Sequence, residues 1–318
     1  MTTIERSATP ALLTLPPAVG ASEAPEVHAT LRRARAAVAA AGADYLSIPD
    51  SALTKQWLWN GHDHGDGVRY GIYRAAETIE AADAELEAAL AGAPARPPAA
   101  IRIAAATIPR WALQGRLAAL DGAVLDRVAR DGEWTVRQTL AHIIDGQRSY
   151  GWFTRWWLRQ PLGDARPARV TDDAEAASMA DLPGEDAEGS GTVTEIRARL
   201  DAVLDEWALR YADLDETALL APATWAGVPV DIDFRIGRWA SHIREHTVQV
   251  DKTLDWLGSS PTEAARIVRD LFSTWGRLEA RLFPVAPAGT EASVAAILES
   301  MAETLTSDAR SVRAAAEQ

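Results

Sequence analysis

The sequence predicts an all-α protein: a four-helix bundle with one long crossover, flanked by a helix pair at each end of the chain. Three observations carry this. Ala, Leu, Glu and Arg dominate while β-branched runs are few, a composition that favours helix. Apolar residues recur every three or four positions: Val136, Leu140, Ile143, Tyr150 and Trp157 on one segment, Ile236, Ala240, Ile243, Val250, Leu254 and Leu257 on another. Capping-box tetrads at Thr135–Gln138, Thr192–Glu195 and Ser260–Glu263 mark where helices begin, since each supplies side-chain partners for free amides of a first turn.

In chain order, a first helix is expected from His28 to Ala41 and a second from Val68 to Leu90, with the Gly/Asp-rich turn Asn60–Gly67 between them. AGAPARPP, residues 91–98, reads as a linker because it is rich in proline. A third helix covers Pro109–Leu120. The capping boxes then open helices from Thr135 to Arg159 and from Thr192 to Leu214, joined by the acidic connection 160–191. Pro222–Phe234 is a loop with a short extended piece, and a helix follows from Arg235 to Leu257. Two more run over Thr262–Leu282 and Glu291–Ala315, the first with Pro261 at its first position.

At 318 residues the chain has room for two cores. Residues 1–24 read as a flexible arm, 100–258 as the four-helix bundle, and 25–95 with 259–318 as an outer bundle into whose crossover the first is inserted. An internal register supports the outer bundle as a degenerate copy. Val68-Arg69 aligns with Val136-Arg137, Trp275 and Leu282 with Trp207 and Leu214, and Val294, Leu298 and Met301 with Ile236, Ala240 and Ile243. On that register Arg74, Ser300 and Thr304 stand where the inner bundle has His142, His242 and His246.

The net charge of −13 and the lack of a concentrated basic patch argue against nucleic acid. No segment is apolar enough to span a membrane, and the N-terminus lacks the unbroken apolar core of a signal peptide, so a cytoplasmic protein is expected. There is no cysteine, which excludes thiolate ligands and a cysteine nucleophile from the chain itself.

Chemistry concentrates at His242 and His246. Four residues apart on a helix, their imidazoles project from one face and can chelate one ion. A third histidine, His142, lies on the other well-patterned inner helix, and bundles build metal sites from facing helices. Arg238, one turn before His242, is a candidate clamp for a carboxylate. Asp145 and Gln249, each three residues after a histidine, are candidates to orient the imidazoles. Glu245 points away from His246 and reads as an outer-face charge. His62 and His64 in NGHDHGDG read as a solvated turn.

Two stretches carry a family resemblance. GEWTVRQTLAHIIDGQRSY, residues 132–150, resembles the second helix of the DinB/YfiT-like metalloproteins, and RWASHIREHTVQVDKTLDWLG, residues 238–258, resembles their fourth. The resemblance covers Ile108 to Gly258 and implies a DinB-like four-helix bundle with His142, His242 and His246 as ligands of one divalent metal. Zinc is the first choice, with nickel or iron as alternatives. It further implies an open coordination position and, as in some members, a low-molecular-weight thiol such as mycothiol or bacillithiol. The expected activity is thiol transfer or isomerisation on a small electrophile; the alternatives are a metal-dependent hydrolase or a non-catalytic metal-binding protein. Expected partners are a small-molecule substrate and the thiol. A monomer is expected, because a covalent pair of bundles can replace the homodimer contact frequent among relatives.

Overall fold

Helices dominate the computed structural model, which describes residues 28–318. The arm at 1–24 lies outside the described residues. In order, the chain forms α1 (Ala29–Leu46), the hairpin β1 (Leu58–Trp59) and β2 (His62–Asp63), α2 (Val68–Leu90), α3 (Pro98–Ala104) and α4 (Thr107–Ala118). Next come α5 (Val136–Leu158), α6 (Asp172–Asp181), α7 (Glu185–Gly189), α8 (Val193–Tyr211) and α9 (Glu216–Leu219). The antiparallel hairpin β3 (Pro222–Trp225) and β4 (Val228–Asp231), α10 (Ile232–Trp256), α11 (Glu263–Ala280) and α12 (Glu291–Glu317) complete it.

The caps explain most boundaries. Thr135 and Thr192 each accept from the amide three residues on, and Gln138 and Glu195 return the bond, so both capping boxes form. Two expectations need correction. Helix α11 is capped by Thr262, whose hydroxyl accepts from the Ala265 amide, so neither the Ser260–Glu263 box nor Pro261 at the first position forms. The stretch 91–98 is not all linker: Pro98 sits at the first turn of α3, where its missing N–H costs nothing.

Helices α4, α5, α8 and α10 pack as one bundle, in which α10 contacts α4 and α5, and α8 contacts both. Around it α1, α2, α11 and α12 pair in the same way: α12 contacts α1 and α2, and so does α11. Each bundle also has a 3-10 turn ahead of its second helix, Asp50–Ala52 and Gly122–Val124. The leucine that follows each turn accepts from the backbone of an aligned arginine, Arg69 to Leu53 at 2.8 Å and Arg137 to Leu125 at 3.0 Å.

The seam between bundles is partly ionic. Arg35 of α1 donates both to Glu279 of α11, at 2.7 and 2.9 Å, and to Asp205 of α8 at 2.7 Å. Arg110 of α4 donates to Asp205 at 2.6 Å and to Asp201 at 2.7 Å. Arg110 and Glu279 are fully buried, so each charge depends on its partners for solvation.

Candidate metal centre

The site forms where α5 faces α10. His242 and His246 lie one turn apart on α10, with ring centroids 4.5 Å apart, and His142 of α5 meets them at 5.2 and 4.7 Å. One nitrogen from each ring lies within 4.8 Å of the others, a group that could hold a metal ion. The chain permits this approach at Gly146. A Cβ there would lie 2.5 Å from Cε1 of His242, so only glycine lets the imidazole lie against α5.

Hydrogen bonds engage Nδ1 of two of the rings. Nδ1 of His246 lies 2.8 Å from Oε1 of Gln249, and Nδ1 of His142 lies 2.8 Å from Oε1 of Glu185. An amide oxygen and a carboxylate only accept, so both Nδ1 atoms carry the proton and the Nε2 lone pairs are free. Nδ1 of His242 accepts from the Gln147 amide N–H at 3.4 Å, which places this ring's proton on Nε2, 3.4 Å from Nε2 of His142, and a bound ion would replace that proton. That separation is long for a hydrogen bond but close to the edge of a tetrahedron with metal–nitrogen distances of about 2.0–2.1 Å, which is roughly 3.3–3.4 Å.

Burial, reinforced by its two histidine neighbours, pushes His242 down to about 3, and burial also lowers His246. Both are therefore neutral at pH 7, the form in which imidazole ligates metal. Trp134 is exposed, its ring 4.9 Å from that of His142 and 6.4 Å from that of His246. Tyr150 stands edge-on to His242 at 5.2 Å.

Among the flanking candidates, Gln249 lies 2.8 Å from Nδ1 of His246. Asp145 bears on His142 through its charge, and Glu185 occupies Nδ1 of that ring. Glu185 comes from α7, inside the crossover, and α7 is tied down by arginines. Glu188 is buried and pairs with Arg148 and Arg199, while Arg137 donates to the carbonyls of Gly189 and Gly191 at 2.6 and 2.8 Å. Arg238 is no free clamp, because Glu245 reaches back and takes its guanidinium at 2.9 and 3.1 Å, with Trp225 stacked at 5.0 Å. His62 and His64 are exposed, with His64 against Tyr70 at 4.6 Å, far in sequence from the triad and outside its group.

Three imidazoles converging from two facing helices define a bundle of the class that carries its chemistry between helices. Residues 105–250 match the family model of the DinB superfamily. No curated protein and no solved structure matches the chain. Among the described residues, no helix is long and apolar enough to cross a membrane.

Proposed function

We propose that His142, His242 and His246 hold one divalent ion, zinc first and nickel or iron next, and that the protein is a metal-dependent enzyme acting on a small electrophile. The observation that carries this reading is the triad's geometry: one nitrogen of each ring lies within 4.8 Å of the others, while Glu185 and Gln249 engage Nδ1 of His142 and His246 at 2.8 Å. When bound, such an ion acts as a Lewis acid that lowers the pKa of a thiol or water reaching its open position.

The remaining work falls to the chain. The three rings would hold the ion through ring nitrogens, Trp134 and Tyr150 flank them, and the Arg238–Glu245 pair borders the site. The sequence has no cysteine, so a sulfur nucleophile must come from outside, as a low-molecular-weight thiol of the mycothiol type. Transfer or isomerisation with that thiol is the reading tested. The outer bundle, with Arg74, Ser300 and Thr304 at the aligned positions, is read as a copy without a site, and the protein as a cytoplasmic monomer.

The test is metal analysis of the purified protein with turnover assays using several thiols and water alone. Turnover that requires a thiol supports the reading. Hydrolysis that ignores every thiol favours the hydrolase, and metal binding without turnover favours a non-catalytic protein.

A further inference from the structure

Arg235 is 5 % exposed, yet its guanidinium makes one hydrogen bond, from Nη1 to the Thr224 carbonyl at 2.5 Å. Its Nε is buried without any partner. The contrast with other inward-facing arginines is sharp. Arg110 is held by two carboxylates, while Arg96, whose Nε is also unpartnered, and Arg166 each donate to four carbonyls, so the single acceptor is what sets Arg235 apart. Among the described residues Arg235 has no ion pair, and the titratable groups that bear on it are the phenols of Tyr150 and Tyr211. Burial without a counter-charge lowers it to about 10, so it still carries its charge at pH 7.

A buried cation left with one neutral acceptor is costly unless an anion completes it. The position supports a ligand as that anion. Arg235 lies seven residues before His242 on α10, about 20° around the helix and roughly 10 Å along it, on the stripe that carries the triad. Tyr150 links the two, bearing on Arg235 and standing edge-on to the His242 ring. The neighbouring cation on this helix, Arg238, already has its carboxylate in Glu245.

We infer that Arg235 is the anchor for a carboxylate of the small molecule that binds at the histidine triad. This rests on the proposed function of the triad and adds the substrate's charge class: an acid rather than a neutral electrophile. The anchor fixes one end of the ligand while its reactive end lies toward the imidazoles.

Calorimetric titration with hexanoate and with hexanamide, which differ in charge at nearly constant shape, tests the inference. Wild-type protein should prefer hexanoate by about tenfold, the size of one charge-assisted pair. The preference should vanish in Arg235→Gln, return in part in Arg235→Lys, and persist in Arg238→Gln. Should Arg235→Gln fail to fold, the Arg235 Nε–H signal in the NMR spectrum of wild-type protein should shift with hexanoate and stay still with hexanamide. No preference in wild type, a preference that survives in Arg235→Gln, or an unmoved Nε–H signal overturns the inference. The titration runs on protein with and without bound metal. A chain that takes up no ion yet prefers the acid would sink the metal reading and leave the anchor standing.

Discussion

Glu185 accepts a hydrogen bond from Nδ1 of His142 at 2.8 Å, across 43 residues of sequence. The carboxylate sits on a five-residue helix that Arg137, Arg148 and Arg199 pin to the bundle. It holds the ring's tautomer and raises the basicity of Nε2. Glu185→Ala should therefore weaken metal affinity by about 10–100-fold, and Glu185→Gln by less, because an amide oxygen can still accept. Competition with a chromophoric chelator measures this; equal affinity in wild type and Glu185→Ala would contradict it.

Gly146 should be as sensitive as a ligand although it touches no metal. In Gly146→Ala the new methyl would meet the His242 ring at 2.5 Å, and helix propensity gains roughly 1 kcal/mol. The expected outcome is retained helicity by circular dichroism with a marked loss of metal affinity. Unchanged affinity would mean that His242 can retreat without cost.

The pH dependence of the metal-free protein follows from His242. Folding lowers its pKa from about 6.5 to about 3, so between those values the unfolded chain binds a proton that the folded chain does not. Stability from this group is complete above about pH 6.5 and falls as pH drops toward 3. Urea unfolding at pH 7 and pH 5 should show wild type losing about 1–2 kcal/mol more than His242→Gln. An equal loss in both would remove His242 as the cause.

The ionic seam predicts that the bundles unfold together. Glu279 is fully buried and faces Arg35, which also binds Asp205 of the inner bundle. Glu279→Ala removes two of the three carboxylate hydrogen bonds of that guanidinium, leaving Asp205, and should cost about 1.5–3 kcal/mol. Calorimetry should show one transition moving down in temperature; a split into two transitions would show that the seam does not couple them.

What was legible in the sequence is what one helix face or one capping tetrad encodes. The His242–His246 pair, the His142 helix and the boxes at Thr135 and Thr192 are local patterns with a fixed period. Glu185 was not legible, because it reaches His142 from the crossover and no spacing links them. Asp145 was the natural local choice, yet sharing a helix with His142 does not bring it to Nδ1. Arg238 illustrates a similar limit: its place beside His242 is readable, but its capture by Glu245 depends on which way two long side chains turn. Helix α3 was hidden by prolines, which read as a break although Pro98 starts the helix.

The central claim is that three imidazoles hold one ion, and metal content per chain tests it most directly. Elemental analysis of wild type and His142→Ala after the same metal loading and desalting should give one equivalent in wild type. Most of it should be lost in the variant, because two remaining ligands hold a divalent ion poorly. Full occupancy in His142→Ala, or no metal in wild type, would contradict the account.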